Sequence, residues 1–234
     1  ATVVTPLCAA GYETPEVQQA LLRALGDKAR ADGVHMLQVF TSQDDARTHE
    51  LLAQCGFEPL AVLLFMSRPV TPADRNSALD KQIRWIPYDA AHHETFVRVV
   101  GETYRDTLDC RKLGESRDPA ETLAGYLARG EIDPSLWLVA RLDDEDVACL
   151  LLVERSDENA YEVGYVGVVP AHRGKGLGRK VMERGLVEVS LRATDAVMKL
   201  AVDEENTPAV DMYGALGFTI DERRQVHVRL LATA

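Results

Sequence analysis

The C-terminal two thirds of the chain alternate between two hydrophobic periods. Apolar residues recur every three or four positions in some stretches and form short β-rich runs in others. The predicted helices are residues 90–107, 118–130, 176–193 and 207–216, and the predicted strands are residues 82–88, 137–142, 147–155, 161–169, 197–202 and 218–230. Three antiparallel strands followed by a βαβ unit predict an α/β fold, with a mixed, mostly antiparallel sheet flanked by helices.

The N-terminal part carries a fragment of the same pattern. A helix at 17–31 and a strand at 36–40 precede Leu51–Phe57, and a shift of 161 residues aligns that segment with Met212–Phe218. Self-similarity of this kind is typical of duplicated domains, although two short helix–Gly–Phe–strand units can also agree by chance. We therefore predict a degenerate, partial copy of the second domain at residues 1–67.

A change of composition separates the two stretches. Two prolines and several polar residues lie between Ser67 and Asn76, which is the composition of a connection and not of a packed element. We predict a linker at residues 68–81 and a second, complete domain at residues 82–234.

Composition and charge narrow the class of function. The 234 residues are 46% apolar, with no run of 18 apolar residues and no signal-peptide series, so we expect a globular, cytoplasmic protein without a membrane partner. A net charge of −11 argues against nucleic acid and favours a cationic small molecule or basic peptide. The four cysteines lie far apart without C-x-x-C spacing, so we expect neither a metal site nor a disulfide framework.

A glycine-rich, basic segment follows the strand end at Pro170. Its glycines and cations are Arg173, Gly174, Lys175, Gly176, Gly178 and Arg179. Glycines let backbone N–H groups approach an anion, and the helix N-terminus that follows adds a favourable dipole. The cations supply the charge that a diphosphate or a 3′-phosphate requires. A solvated surface turn is the alternative, whereas a Walker A loop and a G-x-G-x-x-G dinucleotide loop do not fit the spacing.

The segment Arg173-x-x-Gly176-x-Gly178, after a Val-x-x-Pro strand end, resembles the acetyl-CoA signature of the GNAT superfamily. The resemblance extends over residues 82–234 and implies the GNAT fold with acetyl-CoA as cosubstrate. It also implies that the loop amides bind the CoA diphosphate and that the preceding strand pairs with the pantetheine arm. The implied cofactor-binding residues are Val166, Gly167, Val168, Arg173, Gly174, Lys175, Gly176, Leu177, Gly178 and Arg179.

A second stretch, Asn206 to Phe218, resembles the family's Asn and Tyr-x3-Gly-Phe pattern. The resemblance implies that Asn206 contacts the cofactor arm and that the Tyr213 hydroxyl protonates the departing CoA thiolate. Without the family, Asn206 would be read as a helix N-cap and Tyr213 as a core aromatic.

Acyl transfer to an amine requires a general base, because an alkylamine is mostly protonated at neutral pH. Glu162 lies eleven residues before Arg173, on a strand that resembles the one bearing the basic glutamate of GNAT histone acetyltransferases. We therefore predict Glu162 as the base, with an ordinary surface glutamate as the alternative. Asp203, Glu204 and Glu205 are the other candidates. Direct attack of the amine on the thioester needs no covalent enzyme intermediate.

A degenerate first copy before an intact second one resembles tandem GNAT proteins such as mycothiol synthases. Leu52 stands where Tyr213 does, and Ala9–Pro15 replaces the basic glycine loop with a segment that has one glycine and no arginine. The N-terminal half is therefore expected to lack catalytic residues and to pack beside the active domain.

The acceptor is expected to be a primary amine of a small molecule, or a peptide N-terminus or lysine. In the family, the two helices after the first strand set the specificity, which makes Tyr104, Asp106 and Tyr126 candidates for acceptor contact. A non-catalytic acetyl-CoA-binding regulatory module and an interaction scaffold are the rival functions. Unpaired sheet edges in an incomplete N-terminal half would also allow a homodimer.

Overall fold

The computed structural model describes residues 2–3, 14–116, 118–128 and 133–231. The chain separates into two compact units, the first drawn from residues 1–64 and 222–234 and the second from Phe65–Asp221. This division differs from the predicted one, because the last part of the C-terminal strand pairs within the first unit. The Ala9–Pro15 loop falls almost wholly outside the described residues, as does the predicted helix end near Gly130.

The first unit contains two helices and a small group of strands. Its elements are β1 (Thr2–Val3), α1 (Pro15–Ala31), β2 (Met36–Thr41), α2 (Ala46–Gln54), the start of β3 (Glu58–Pro69) and the end of β9 (Thr219–Leu230). The strand β2 lies between β1 and β9, parallel to the first and antiparallel to the second. The side chains at its core include Leu22, Leu37, Val39, Leu52 and Phe57.

The two segments that align in sequence end their helices with the same hydrogen bonds. The N–H of Phe57 donates to the carbonyl of Leu52 at 3.0 Å, and the N–H of Phe218 donates to the carbonyl of Tyr213 at 3.0 Å. Gly56 and Gly217 precede the two phenylalanines with φ of 79° and 89°, the left-handed conformation that glycine adopts at helix C-termini. The two aligned segments therefore share a helix C-terminal geometry, with Leu52 at the position that Tyr213 occupies in the second unit.

The second unit is a helix-flanked sheet in which the strands follow the order β8, β7, β6, β5, β4. Its further elements are β4 (Arg84–Pro87), α3 (His93–Tyr104), α4 (Pro119–Leu127), β5 (Trp137–Leu142), β6 (Glu145–Arg155), β7 (Ala160–Val168), α5 (Leu177–Arg192), β8 (Val197–Asp203) and α6 (Thr207–Ala215). The strands β4 to β7 pair antiparallel, and β8 runs parallel to β7. The predicted α/β fold with a mixed, mostly antiparallel sheet is confirmed.

Helix boundaries follow the predicted capping signals. Asp118 accepts hydrogen bonds from the N–H groups of Ala120 and Glu121, and Pro119 occupies the first turn, so α4 begins there. The apolar face of α3 is buried against the sheet, in a cluster that includes Phe96, Val99, Val100, Tyr104, Trp137, Val139 and Leu151. This packing fixes the C-terminal end of α3 beside β7.

The segment that we predicted to be a linker is instead part of the second unit. The strand β3 continues to Pro69, and residues Pro72–Asn76 form a short 3-10 helix. The Asp74 side chain is buried, where it forms an ion pair with Arg68 at 2.6 Å and accepts a hydrogen bond from the N–H of Thr71 at 2.7 Å. The prolines therefore end a strand and start a helical turn, and the polar residues satisfy one another.

The half of β9 that belongs to the first unit carries a buried histidine. His227 is 4% exposed, and its ring centroid lies 4.8 Å from that of His49. Burial, together with the neighbouring His49, lowers the pKa of His227 below its ordinary value of 6.5. The unfolded chain therefore takes up this proton first as the pH falls, so the stability contributed by neutral His227 is lost below about pH 6.5.

We expect His227→Leu to weaken the acid sensitivity of the first unit. Urea unfolding between pH 7.5 and pH 5, followed by amide hydrogen exchange in β2, should show a smaller loss of stability in this variant than in the wild type. His35→Leu is the matched control, because His35 is exposed and lies in the same unit. If the stability of His227→Leu depends on pH as that of the wild type does, other groups cause the loss of stability at acid pH.

Candidate active site

A cavity opens where two parallel strands part. The strands β7 and β8 pair at Ala160–Glu162 and Val197–Lys199. Beyond that point a cavity of about 560 Å³ is lined by residues 163–168 of β7 and residues 200–202 of β8. The loop before α5, the first turn of α5, residues 206–213 at α6 and the end of α3 with the segment after it complete the lining. All of these parts belong to the second unit.

The glycine loop presents bare backbone at one end of the cavity. Gly174 and Gly176 have φ of 73° and 76°, and a Cβ added to either would meet nothing within 4 Å. The 16-residue helix α5 begins at Leu177, directly after the loop. Left-handed glycines before a helix N-terminus form a concave group of N–H donors, which suits an anion such as a diphosphate.

Two other glycines allow close packing around the cavity. A Cβ on Gly167 would lie 2.6 Å from Thr103 Oγ1, and a Cβ on Gly178 would lie 3.2 Å from Met212 Sδ. The extra residue of a β-bulge is Gly164, because Leu151 faces Tyr165 and Leu152 faces Val163. A bulge bends its strand, so it contributes to the divergence of β7 from β8.

The predicted cations of the loop have partners within the protein. Lys175 Nζ donates to the carbonyl of Ala171 at 2.8 Å and does not line the cavity. Arg179 lines the cavity and forms an ion pair with Glu183 at 2.8 Å. The predicted anion site would therefore rely on the backbone N–H groups and the helix N-terminus more than on these side chains.

Arg173 connects the glycine loop to the end of α3. Its guanidinium donates to the carbonyls of Val168, Thr103, Arg105 and Asp106 at 2.7–2.9 Å. A planar guanidinium carries five N–H donors, so one side chain can hold several carbonyls at once. Arg173 thus lines the cavity as a structural clamp, and a direct phosphate contact stays a prediction.

Tyr213 and Asn206 come from the same helix and line the cavity together. Asn206 is the N-cap of α6, and its carbonyl accepts hydrogen bonds from the N–H groups of Ala209 and Val210. Tyr213 is 5% exposed. Burial, with a further contribution from the charge of Asp109, raises the pKa of the Tyr213 phenol well above its ordinary value of 10.

Glu162 lies outside the cavity. It sits on the part of β7 that still pairs with β8, opposite Lys199, and its carboxylate accepts two hydrogen bonds from Arg155, one of them from Nε at 3.0 Å. The other predicted bases, Asp203, Glu204 and Glu205, do not line the cavity either. Glu162 is on a strand that lines the cavity, but it is the last residue of β7 paired with β8, and the lining begins at Val163.

Among the described residues, the acidic residue that lines the cavity is Asp109, which the sequence analysis missed. It lies in the irregular segment between α3 and α4, and its charge is close enough to raise the pKa of Tyr213. Asp109 Oδ1 accepts a hydrogen bond from the N–H of Asp203 at 3.1 Å. Nothing in the local sequence distinguishes Asp109 from the many exposed aspartates that follow the end of a helix.

The residues predicted to contact the acceptor make structural hydrogen bonds next to the cavity. The hydroxyl of Tyr104 donates to Thr122 Oγ1 at 2.9 Å and so joins α3 to α4. The hydroxyl of Tyr126 donates to the carbonyl of Gly164 at the bulge. Asp106 contributes its carbonyl to the Arg173 clamp. These three residues therefore stabilise the elements around the cavity. The residues of this region that line the cavity itself are Thr103, Thr107, Leu108 and Tyr165.

Across the residues that the structure describes, no three His, Cys, Asp or Glu side chains cluster in a way that could hold a metal ion. Within the same described ranges, no helix is both long and apolar enough to cross a membrane.

The acetyltransferase (GNAT) family model matches residues 101–218, just over half of the chain. This chain belongs to that family. The matched range begins within α3 and ends after α6, so it contains every residue that lines the cavity.

Curated relatives of the chain include mycothiol acetyltransferases. The protein of that name from Thermomonospora curvata is 32% identical over 204 residues, which are 86% of this chain and 65% of the relative. The chain therefore spans just under two thirds of the length of this relative.

Solved structures show the same fold at lower identity. A GCN5-related N-acetyltransferase from Sphaerobacter thermophilus matches with a TM-score of 0.58 at 21% identity, over 84% of this chain and 60% of that one. A tandem GNAT protein from the clavulanic acid biosynthesis pathway matches with a TM-score of 0.61 at 15% identity, over 100% of this chain and 76% of that one. The predicted resemblance to GNAT proteins is confirmed, while a truncated N-terminal copy stays a prediction.

The clamp predicts that Arg173→Ala destabilises the second unit. Loss of its four hydrogen bonds should lower the free energy of unfolding by about 2–3 kcal/mol, measured by urea denaturation. Lys175→Ala, which removes one exposed hydrogen bond two residues away, should change it by less than about 0.5 kcal/mol. If Arg173 served phosphate alone, Arg173→Ala would weaken CoA binding without moving the unfolding transition.

Proposed function

We propose that this chain transfers the acetyl group of acetyl-CoA to a primary amine of a small molecule by direct attack. The observation that carries the proposal is one cavity in which the glycine loop, the open edge of β7, Asp109 and Tyr213 meet. Each part corresponds to one requirement of acyl transfer: an anion site for the cosubstrate, a groove for its arm, a base and an acid.

The cavity has the form that a CoA thioester requires. Its bare glycine loop suits the diphosphate, and the residues assigned there are Gly174, Gly176, Leu177, Gly178 and Arg179. The part of β7 beyond its pairing with β8, Val166–Val168, suits the pantetheine arm, with Asn206 on the facing side. The bound cosubstrate supplies the activated acetyl group.

Asp109 is proposed as the general base in place of Glu162. Asp109 is one of the residues that line the cavity, whereas Glu162 is not one of them and its carboxylate is held by Arg155. A base must come within hydrogen-bonding reach of the proton it removes, directly or through one water molecule. Asp109 accepts the proton of the acceptor ammonium and so leaves a neutral amine to attack.

Tyr213 is proposed as the acid that protonates the departing thiolate. Its raised pKa keeps the phenol protonated at neutral pH, so it has a proton to donate. The charge of Asp109 is one cause of that rise. When Asp109 takes up the proton of the ammonium, this charge disappears and Tyr213 can release its own proton to the thiolate more easily. As the amide forms, the nitrogen loses its remaining extra proton to the Tyr213 oxygen, which restores the phenol.

The acceptor is proposed to be a small molecule. A cavity of about 560 Å³ that also takes the cofactor arm leaves room for a small group, and Thr103, Thr107 and Tyr165 are among the residues that line it. The Thermomonospora curvata relative is named a mycothiol acetyltransferase. Amines related to mycothiol are therefore the first acceptors to assay, with peptide N-termini and lysines as the comparison.

We expect the release of free CoA thiol from acetyl-CoA to depend on an amine and on Asp109 and Tyr213. Asp109→Asn and Tyr213→Phe should each lower kcat by about 100-fold, because each removes one proton transfer. Glu162→Gln should stay within about twofold of the wild type, because Glu162 lies outside the cavity. The assay is a thiol-release measurement against a panel of amino sugars, aminoacyl compounds and basic peptides.

Either of two results would change the proposal. A large loss in Glu162→Gln with little loss in Asp109→Asn would return the base to Glu162. Tight acetyl-CoA binding with no release of thiol for any acceptor would favour a non-catalytic acetyl-CoA-binding module instead.

A further inference from the structure

Asp203 ends β8 in an unusual environment for a charged side chain. It is 4% exposed, and both of its carboxylate oxygens accept hydrogen bonds from the backbone. Oδ2 accepts from the N–H of Cys110 at 3.0 Å, and Oδ1 accepts from the N–H of Glu205 at 3.0 Å. A carboxylate is retained in such a site when it is fully hydrogen-bonded, because an unsatisfied buried charge is strongly unfavourable.

The hydrogen bonds between the β8 end and the segment after α3 are reciprocal. The N–H of Asp203 donates to the carboxylate of Asp109, while the carboxylate of Asp203 accepts from the N–H of Cys110, the next residue. Two neighbouring residues of the segment are thus fixed to one residue of the strand, although 94 positions separate Asp203 from Asp109.

The segment held in this way has a strained backbone. Cys110 has φ of 48° and Asp106 has φ of 51°, the left-handed region that non-glycine residues seldom adopt because it is sterically unfavourable. Such conformations persist where surrounding contacts determine them. Arg173 supports the segment at Asp106, and Asp203 supports it at Asp109 and Cys110.

We propose that Asp203 is a positioning residue, which holds the Asp109 carboxylate at the cavity beside Tyr213. This inference rests on the proposed role of Asp109. Asp203 does not line the cavity, and its oxygens are both engaged by N–H donors, so it acts on the reaction through Asp109.

Asp203→Asn is the sharpest change, because it preserves the shape of the side chain. The amide oxygen can still accept one hydrogen bond, but the NH2 group cannot accept the second and would face a backbone N–H donor. The loop between Thr107 and Cys110 should then loosen without a loss of the cavity. Asp211→Asn is the matched control, since Asp211 is exposed and lies on α6 two residues before Tyr213.

The kinetic test is a double-mutant cycle. Asp203→Asn should lower kcat for amine-dependent thiol release by about tenfold, with the KM for acetyl-CoA unchanged, and Asp211→Asn should change neither. In an Asp109→Asn background, Asp203→Asn should cause no further fall, because the residue that it positions is already inactive. A tenfold fall that persists in that background would overturn the proposal.

A second readout does not depend on activity. Cys110 is 7% exposed and Cys149 is fully buried in the same unit, so alkylation by iodoacetamide, mapped by mass spectrometry, reports local and global opening separately. Asp203→Asn should speed the alkylation of Cys110 several-fold and leave that of Cys149 unchanged. Equal Cys110 rates in Asp203→Asn, Asp211→Asn and the wild type would contradict the proposal.

If no amine supports acetyl transfer by the wild type, the proposed function fails. The alkylation rates of Cys110 still decide whether Asp203 holds the loop.

Discussion

The candidate active site depends on the separation of two parallel strands. The strands β7 and β8 pair through Glu162 and Lys199 and then line opposite sides of a cavity. A bulge at Gly164 bends β7 at this point, and the Tyr126 hydroxyl satisfies the Gly164 carbonyl. If the strands stayed paired, there would be no groove for a cofactor arm, and Asp109 and Tyr213 would have no shared space.

The electrostatics of the site come from backbone groups and from a few neighbouring side chains. The chain has a net charge of −11, and Lys175 and Arg179 in the glycine loop have partners of their own. In the proposed function, oriented backbone N–H groups would therefore supply most of the attraction for a diphosphate. Arg173 contributes by fixing the loop to the end of α3, so one residue helps to shape both the anion site and the segment that bears Asp109.

The elements of the second unit were predictable from the sequence, because hydrophobic period, capping residues and turns are local signals. The helix α4 illustrates this, since Asp118 and Pro119 define its start in both the sequence and the structure. The glycine loop and Tyr213 were also found, because a local motif carries each of them. Asp109 was missed because its significance comes from contact with residues about 100 positions away, which no local pattern records.

Two expectations from the sequence differ from the structure for the same physical reason. Glu162 has the expected spacing from Arg173, but pairing of β7 with β8 leaves it beside Arg155. The prolines near residue 70 indicate an interruption, yet burial of Asp74 against Arg68 makes that segment part of the packed unit. In both cases the decisive interaction is between residues that share no local motif.

The central claim is that the cavity between β7 and β8 binds acetyl-CoA. Isothermal titration calorimetry of the wild-type chain with acetyl-CoA tests it most directly, with adenosine 3′,5′-bisphosphate, which lacks the diphosphate and the pantetheine arm, as the comparison ligand. We expect saturable one-to-one binding with a dissociation constant below about 1 mM and a much weaker response to the comparison ligand. Absence of saturable binding, or equal affinity for the two ligands, would contradict the account.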